Sequence, residues 1–129
     1  MSTRILTRDD VVRLLPMAEC VEVMAGALRH LSTGDAVLPL RNLVWLPDRT
    51  GRLGLMPGYL GSPKSFGLKV VSLWPGNHGT DFDTHQGVVM LFGIENGEPL
   101  AILDASSITA IRTAAVSGVA TRALAKADA

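Results

Sequence analysis

Residues 88–103, VVMLFGIENGEPLAIL, decide the fold. Two apolar runs, Val88–Ile94 and Pro99–Leu103, flank ENGE, and an Asn-Gly step between apolar runs is a hairpin signal. Reading back toward the N-terminus, Phe66–Trp74 (FGLKVVSLW) and Leu53–Tyr59 (LGLMPGY) are two more strands. Leu40–Leu46 is another, followed by the turn PDRTGR. Links this short leave no room for crossover helices, so the sheet is expected to be mostly antiparallel. At the N-terminal side, Ile5 and Leu6 form a short apolar start. Thr7 then precedes RDDVVRLL, a helix with acids in its first turn. Pro16 opens a second helix, PMAECVEVMAGALRHLSTG, in which Met17, Val21, Met24, Leu28 and Leu31 recur at three and four and so form a core face. Gly34 stops it. Beyond the hairpin, Ser106 or Ser107 caps a last helix that runs toward Ala125. The order is helix, helix, about five strands, helix. The class is α+β, with two N-terminal helices, a mostly antiparallel sheet and a C-terminal helix in one domain over residues 1–129.

Composition narrows the function classes. Hydrophobic residues make up 47% of the chain and charged residues 19%, below the ~25% of ordinary soluble domains. Several strands look apolar on both faces, so part of the surface is expected to meet another chain or domain. Twelve basic residues balance twelve acidic ones, which gives no electrostatic reason to expect nucleic acid or an anionic membrane as partner. The uncharged stretches are too polar and glycine-broken for a membrane span, and MSTRILTRDD has no secretory apolar region. A single cysteine, Cys20, excludes an intramolecular disulfide and suits a reducing cytoplasm. Its place in a helix-period apolar run makes it a packing thiol.

The chemistry-bearing residues are cations in apolar surroundings. Arg112 stands in a small-residue helix, SSITAIRTAAVSGVATRALA, and Lys69 in the strand FGLKVVSLW. Lysine and arginine are rarely fully buried without a partner, and a bound carboxylate is one such partner. Thr109, Thr113, Ser117 and Thr121 form a hydroxyl stripe on the last helix. Ala110, Ala114 and Gly118 form a second stripe that permits close approach of another backbone. Arg41 shares a strand face with Leu43 and Trp45. Each of the three cations reads equally as a snorkelling, strand-end or sheet-edge charge, and spacing alone does not bring them together. Between the two strands the loop Pro75–Gly87 carries His78, Asp81, Asp83 and His85. Their spacing matches no zinc signature, so no metal is expected. His85 reads as a polar contact to substrate or as an exposed loop histidine. There is no dinucleotide fingerprint, Walker motif or nucleophile elbow.

Taken together, LPLRNLVW, GLKVVSLWPGN, DTHQGVVMLF and ENGEPLAILDASSITAIRTAAVSGVATRALA resemble the N-terminal part of the ornithine cyclodeaminase/mu-crystallin family. The resemblance runs over nearly the whole chain. It is most specific in KVVSLWPGN, THQG and ITAIRTAA, and leans toward the mu-crystallin and ketimine-reductase side. It implies an enzyme that depends on NAD or NADP: a cyclodeaminase, amino-acid dehydrogenase or ketimine reductase acting on an amino acid or cyclic imine. It implies that Arg41, Lys69 and Arg112 bind the substrate carboxylate. Thr84 and Thr113 would lie at the junction of substrate and cofactor. It further implies a homodimer in which two such sheets build a barrel-like body.

The family's Rossmann domain, with its glycine fingerprint and catalytic aspartate, has no counterpart in these 129 residues. The chain thus reads as a substrate-binding and dimerisation domain, a fragment or truncated form of a two-domain protein. No catalytic residue is expected in it, and it should neither hold the cofactor tightly nor turn over alone. The alternative is a non-catalytic dimerisation or small-molecule-binding module that lacks the dinucleotide domain.

Overall fold

The computed structural model of the protein describes residues 2–128. Its elements are β1 (Arg4–Leu6), α1 (Arg8–Leu14), α2 (Met17–Thr33), β2 (Ala36–Val37), β3 (Asn42–Trp45), β4 (Arg52–Gly61), β5 (Lys64–Leu73), β6 (His85–Phe92), β7 (Pro99–Asp104) and α3 (Ala105–Leu124), with a short 3-10 turn over Pro75–Asn77. The β6–β7 hairpin forms as its sequence indicates, with Val89 opposite Leu103 and Leu91 opposite Ala101. Its loop is longer than a two-residue turn. The Gly93 N–H donates to the Glu98 carbonyl at 2.9 Å, and Gly97 sits at φ 76°, a conformation that favours glycine.

The sheet has seven strands in the order β1-β7-β6-β5-β4-β2, with β3 also pairing β4. Every pair is antiparallel except β1–β7. Two of the strands go beyond the sequence reading. The apolar start Ile5–Leu6 becomes β1, parallel to β7, and Ala36–Val37 pairs with the end of β4. The Leu40–Leu46 strand is shorter than its sequence indicates and leaves Arg41 just before β3.

Residues directly opposite in antiparallel strands point to one face. One face carries Leu43, Gly54, Met56, Lys69, Val71, Val89 and Leu103. Helices α2 and α3 pack against it, and Val71 is fully buried there. The other face carries Leu53, Leu55, Leu68, Val70, Val88 and Met90. No element of this chain covers it among the described residues, so Leu53 and Val88 remain 39% and 37% exposed. The strands are apolar on both faces, but one chain buries only one of them.

Local chemistry explains the helix ends. Thr7 caps α1 in a capping box with Asp10, and those bonds from Thr7 hold the Asp10 carboxyl below its usual value. Gly34 ends α2 at φ 81°. The cap of α3 is neither Ser106 nor Ser107 but Asp104, whose carboxylate accepts the Ser107 N–H at 2.8 Å and the Ser107 hydroxyl at 2.5 Å. Strand β7 runs directly into the helix at the buried Ala105, so the turn starts earlier than the serines suggest. The apolar stripe of α2 also needs correction. Its buried positions are Cys20 and Ala25, while Met17, Leu28 and Leu31 are 45%, 40% and 44% exposed. The Cys20 thiol is pushed up by burial alone, as suits a packing thiol. Gly118 of α3 lies against Val21 of α2, whereas Ala110 and Ala114 face outward.

Candidate functional site

Between α2, α3 and the covered sheet face lies a cavity of about 490 Å³. Lys69 enters it from the middle of β5, a position fixed by its pairing with Met56 on one side and Val89 on the other. Arg112 enters from α3. These are the only charged side chains in a lining otherwise built by residues such as Met24, Leu28, Leu31, Leu38 and Met56. Neither cation takes part in an ion pair among the described residues. Lys69 donates one hydrogen bond, to the Thr109 hydroxyl at 3.2 Å. Burial first, then the neighbouring Arg112 and Arg41 charges, push its ammonium below the usual lysine value. Both arginines thus lie within electrostatic reach of Lys69.

Arg41 does not line this cavity. It lies in an adjoining one of about 430 Å³, and both cavities are lined by Leu38, Met56 and Pro57. Thr84 and His85 line a third, open cleft with Arg8, Asp83, Ser106, Thr109 and Ala110. Thr109 therefore stands between the two sites, lining the cleft and bonded to the lysine of the large cavity. The Ser106 hydroxyl donates to the His85 carbonyl at 2.8 Å and ties the first turn of α3 to the start of β6. Arg8 reaches Asp83 at 3.6 Å. Thr113 lines none of the three spaces and is exposed. The loop preceding β6 is held by its own backbone, with the Asn77 and Gln86 side-chain amides both donating to the Asp83 carbonyl at 3.0 Å. Among the described residues no three metal-ligating side chains gather there or elsewhere.

Sequence reasoning singled out the cations but missed Thr109 as the hydrogen-bonding partner of Lys69. The hydroxyl stripe was its signal. Arg8 and Met56 carried none, because only the fold brings them to these cavities. Two helix N-termini among the described residues are unsuited to a dinucleotide's phosphates. The N-terminus of α3 is occupied by Asp104 and that of α1 by Thr7 and Asp10, and an acid at that place repels phosphate. No described helix is long and apolar enough to cross a membrane.

Comparison with known proteins agrees with this architecture. The chain is 35% identical over 122 residues to a Delta(1)-pyrroline-2-carboxylate reductase of Bacillus cereus, which covers 95% of this chain and 38% of that protein. It is 40% identical over 104 residues to the ketimine reductase mu-crystallin of Mus musculus, covering 78% and 33%. Among solved structures, the Thermococcus litoralis Delta(1)-pyrroline-2-carboxylate reductase in complex with NADH and L-proline superposes with a TM-score of 0.91 at 35% identity, over 96% of this chain and 38% of that one. An archaeal alanine dehydrogenase dimer with bound NAD superposes at 0.89 and 34% identity, over 98% and 38%. The chain thus spans well under half the length of these relatives. The family model described as ornithine cyclodeaminase/mu-crystallin matches residues 1–129, and with these relatives in agreement, the chain belongs to that family.

Proposed function

We propose that this chain is the substrate-binding and dimerisation part of an NAD(P)-dependent enzyme that acts on an amino acid or its cyclic imine. The observation that carries the reading is the pair Lys69 and Arg112, two cations without a carboxylate partner at the edge of an apolar cavity. A substrate carboxylate supplies the missing charge. The guanidinium offers a planar fork to its two oxygens, and the ammonium offers a point charge held in place by Thr109. Arg41, in the adjoining cavity, adds positive potential. Thr84 and His85 lie on the far side of Thr109, where a bound molecule's opposite end or a second component would meet them. The apolar sheet face supports the second half of the reading, a homodimer closed over Leu53, Leu68, Val70 and Val88.

The test is a titration of the chain with pyrrole-2-carboxylate and with its neutral analogue pyrrole-2-carboxamide, followed by amide chemical shifts. The carboxylate is expected to shift the amides around Lys69, Thr109 and Arg112, and the amide analogue is not. Arg112→Ala should abolish the shifts and Arg112→Lys should restore them only in part. Equal responses to both compounds would overturn the carboxylate site.

A further inference from the structure

We propose that the cavity selects carboxylates whose distal end is apolar and uncharged, and that Met56 is the residue that sets this selection. The inference rests on the carboxylate site proposed above and adds the nature of the rest of the ligand. Three observations support it. First, the lining contains no aspartate or glutamate; its only charged side chains are Lys69 and Arg112. Second, the walls facing those cations are Met24, Leu28 and Leu31 from α2, with Leu38, Met56 and Val89. Third, Met56 stands directly opposite Lys69 across the β4–β5 ladder, and it lines both the large cavity and the adjoining one that holds Arg41.

A molecule whose carboxylate meets Lys69 and Arg112 must lay its other end against these thioether and aliphatic surfaces. A cyclic imino acid or a short aliphatic acid loses little there. A diamino acid would bring its distal ammonium into a space that already holds two cations, and burial without a counter-charge is unfavourable. Position 56 is where an acid would neutralise that ammonium, because it shares the sheet face with Lys69 and projects between the two cavities. Methionine there gives an adaptable apolar surface instead.

The experiment compares pentanoate with 5-aminopentanoate, which have the same carboxylate and the same chain length and differ in one distal ammonium. Affinities for the 129-residue chain are read from amide shifts near Lys69 and Arg112. Pentanoate is expected to bind at least about tenfold more tightly. In Met56→Glu the ratio should fall to about two or invert, and Met56→Leu should keep the ratio of the unaltered chain. 5-Aminopentanoate binding within about twofold of pentanoate in the unaltered chain would overturn the selection and leave the carboxylate site intact. Binding of neither would overturn both. If Met56→Glu does not fold, Met56→Gln serves in its place: its uncharged amide should leave pentanoate still favoured, and a reversal there would show that charge at position 56 is not the determinant.

Discussion

Asp104→Ala should loosen the helix that carries the site. The Asp104 carboxylate accepts the Ser107 N–H at 2.8 Å and the Ser107 hydroxyl at 2.5 Å. No other acid lies in the first turn of α3, and the Ser106 hydroxyl is engaged with the His85 carbonyl. Removing an N-cap costs ~1–2 kcal/mol, and Ser107, only 6% exposed, also loses its closest hydroxyl partner. A total of about 2 kcal/mol corresponds in a domain of this size to a fall in Tm of roughly 6–8 °C. The loss should also depend on pH. Burial acts to raise the Asp104 carboxyl, but the bonds from the Ser107 hydroxyl and amide and the charge of Arg8 outweigh it, so the folded group titrates below the ordinary 3.8. As acid is added, the unfolded chain takes up the proton first. The stabilisation is therefore complete above 3.8 and disappears as the pH falls through the lower folded value. Melting followed by circular dichroism, near neutral pH and again near pH ~2, should show a large difference between the two proteins that shrinks in acid. A neutral-pH difference under about 2 °C, or one that is unchanged in acid, would refute the reasoning. Asp104→Asn should retain most of the stability, since asparagine caps nearly as well.

Three further outcomes follow from the same geometry. A Cβ at Gly87 would overlap the Val70 carbonyl oxygen and press on the Val71 Cα, so Gly87→Ala should lower stability by about 3 kcal/mol or more; a urea midpoint close to that of the parent would contradict it. Lys69→Met should raise stability near neutral pH. In the parent, stability should rise with pH between the lowered Lys69 value and the ordinary 10.5, because the native state there has released a proton that the unfolded chain still holds; urea titrations across that range should find no such rise in the variant, and finding one would assign it to another group. In sedimentation at micromolar concentration the chain should run as a dimer, and Val70→Lys, on the uncovered sheet face, should run as a monomer with an unchanged far-ultraviolet spectrum; a monomeric parent would defeat the dimer reading.

The sequence showed what has a local cause. Thr7 with Asp10 and Gly34 mark helix ends by themselves, and apolar runs bounded by turn residues mark β4 to β7. The structure departs from that reading where distant segments decide. Three residues at Arg4–Leu6 have too little pattern to be read as a strand, and they become one only because β7 is there to pair with. The stripe Met24, Leu28 and Leu31 has the period of a core face, yet it walls a cavity; hydrophobic periodicity says which side faces inward, not whether the space inside is filled. At the site, Lys69 and Arg112 were visible because cations in apolar runs are unusual. That Lys69 is bonded to Thr109, 40 residues away, and faces Met56 depends on register and helix placement, neither of which is written in local spacing.

The parallel pairing of β1 with β7 has a consequence for the order in which the chain folds. The Thr3 hydroxyl reaches the Pro99 carbonyl across 96 residues, so the first strand emerges from the ribosome long before its partner. At ~5–20 residues per second, several seconds pass before β7 exists. In that interval the β4–β5 hairpin, whose two strands are close in sequence, can assemble. Closure of β1 onto β7 then comes late, and it brings α1 and Arg8 to the cleft beside Thr84 only when the rest of the sheet is already built.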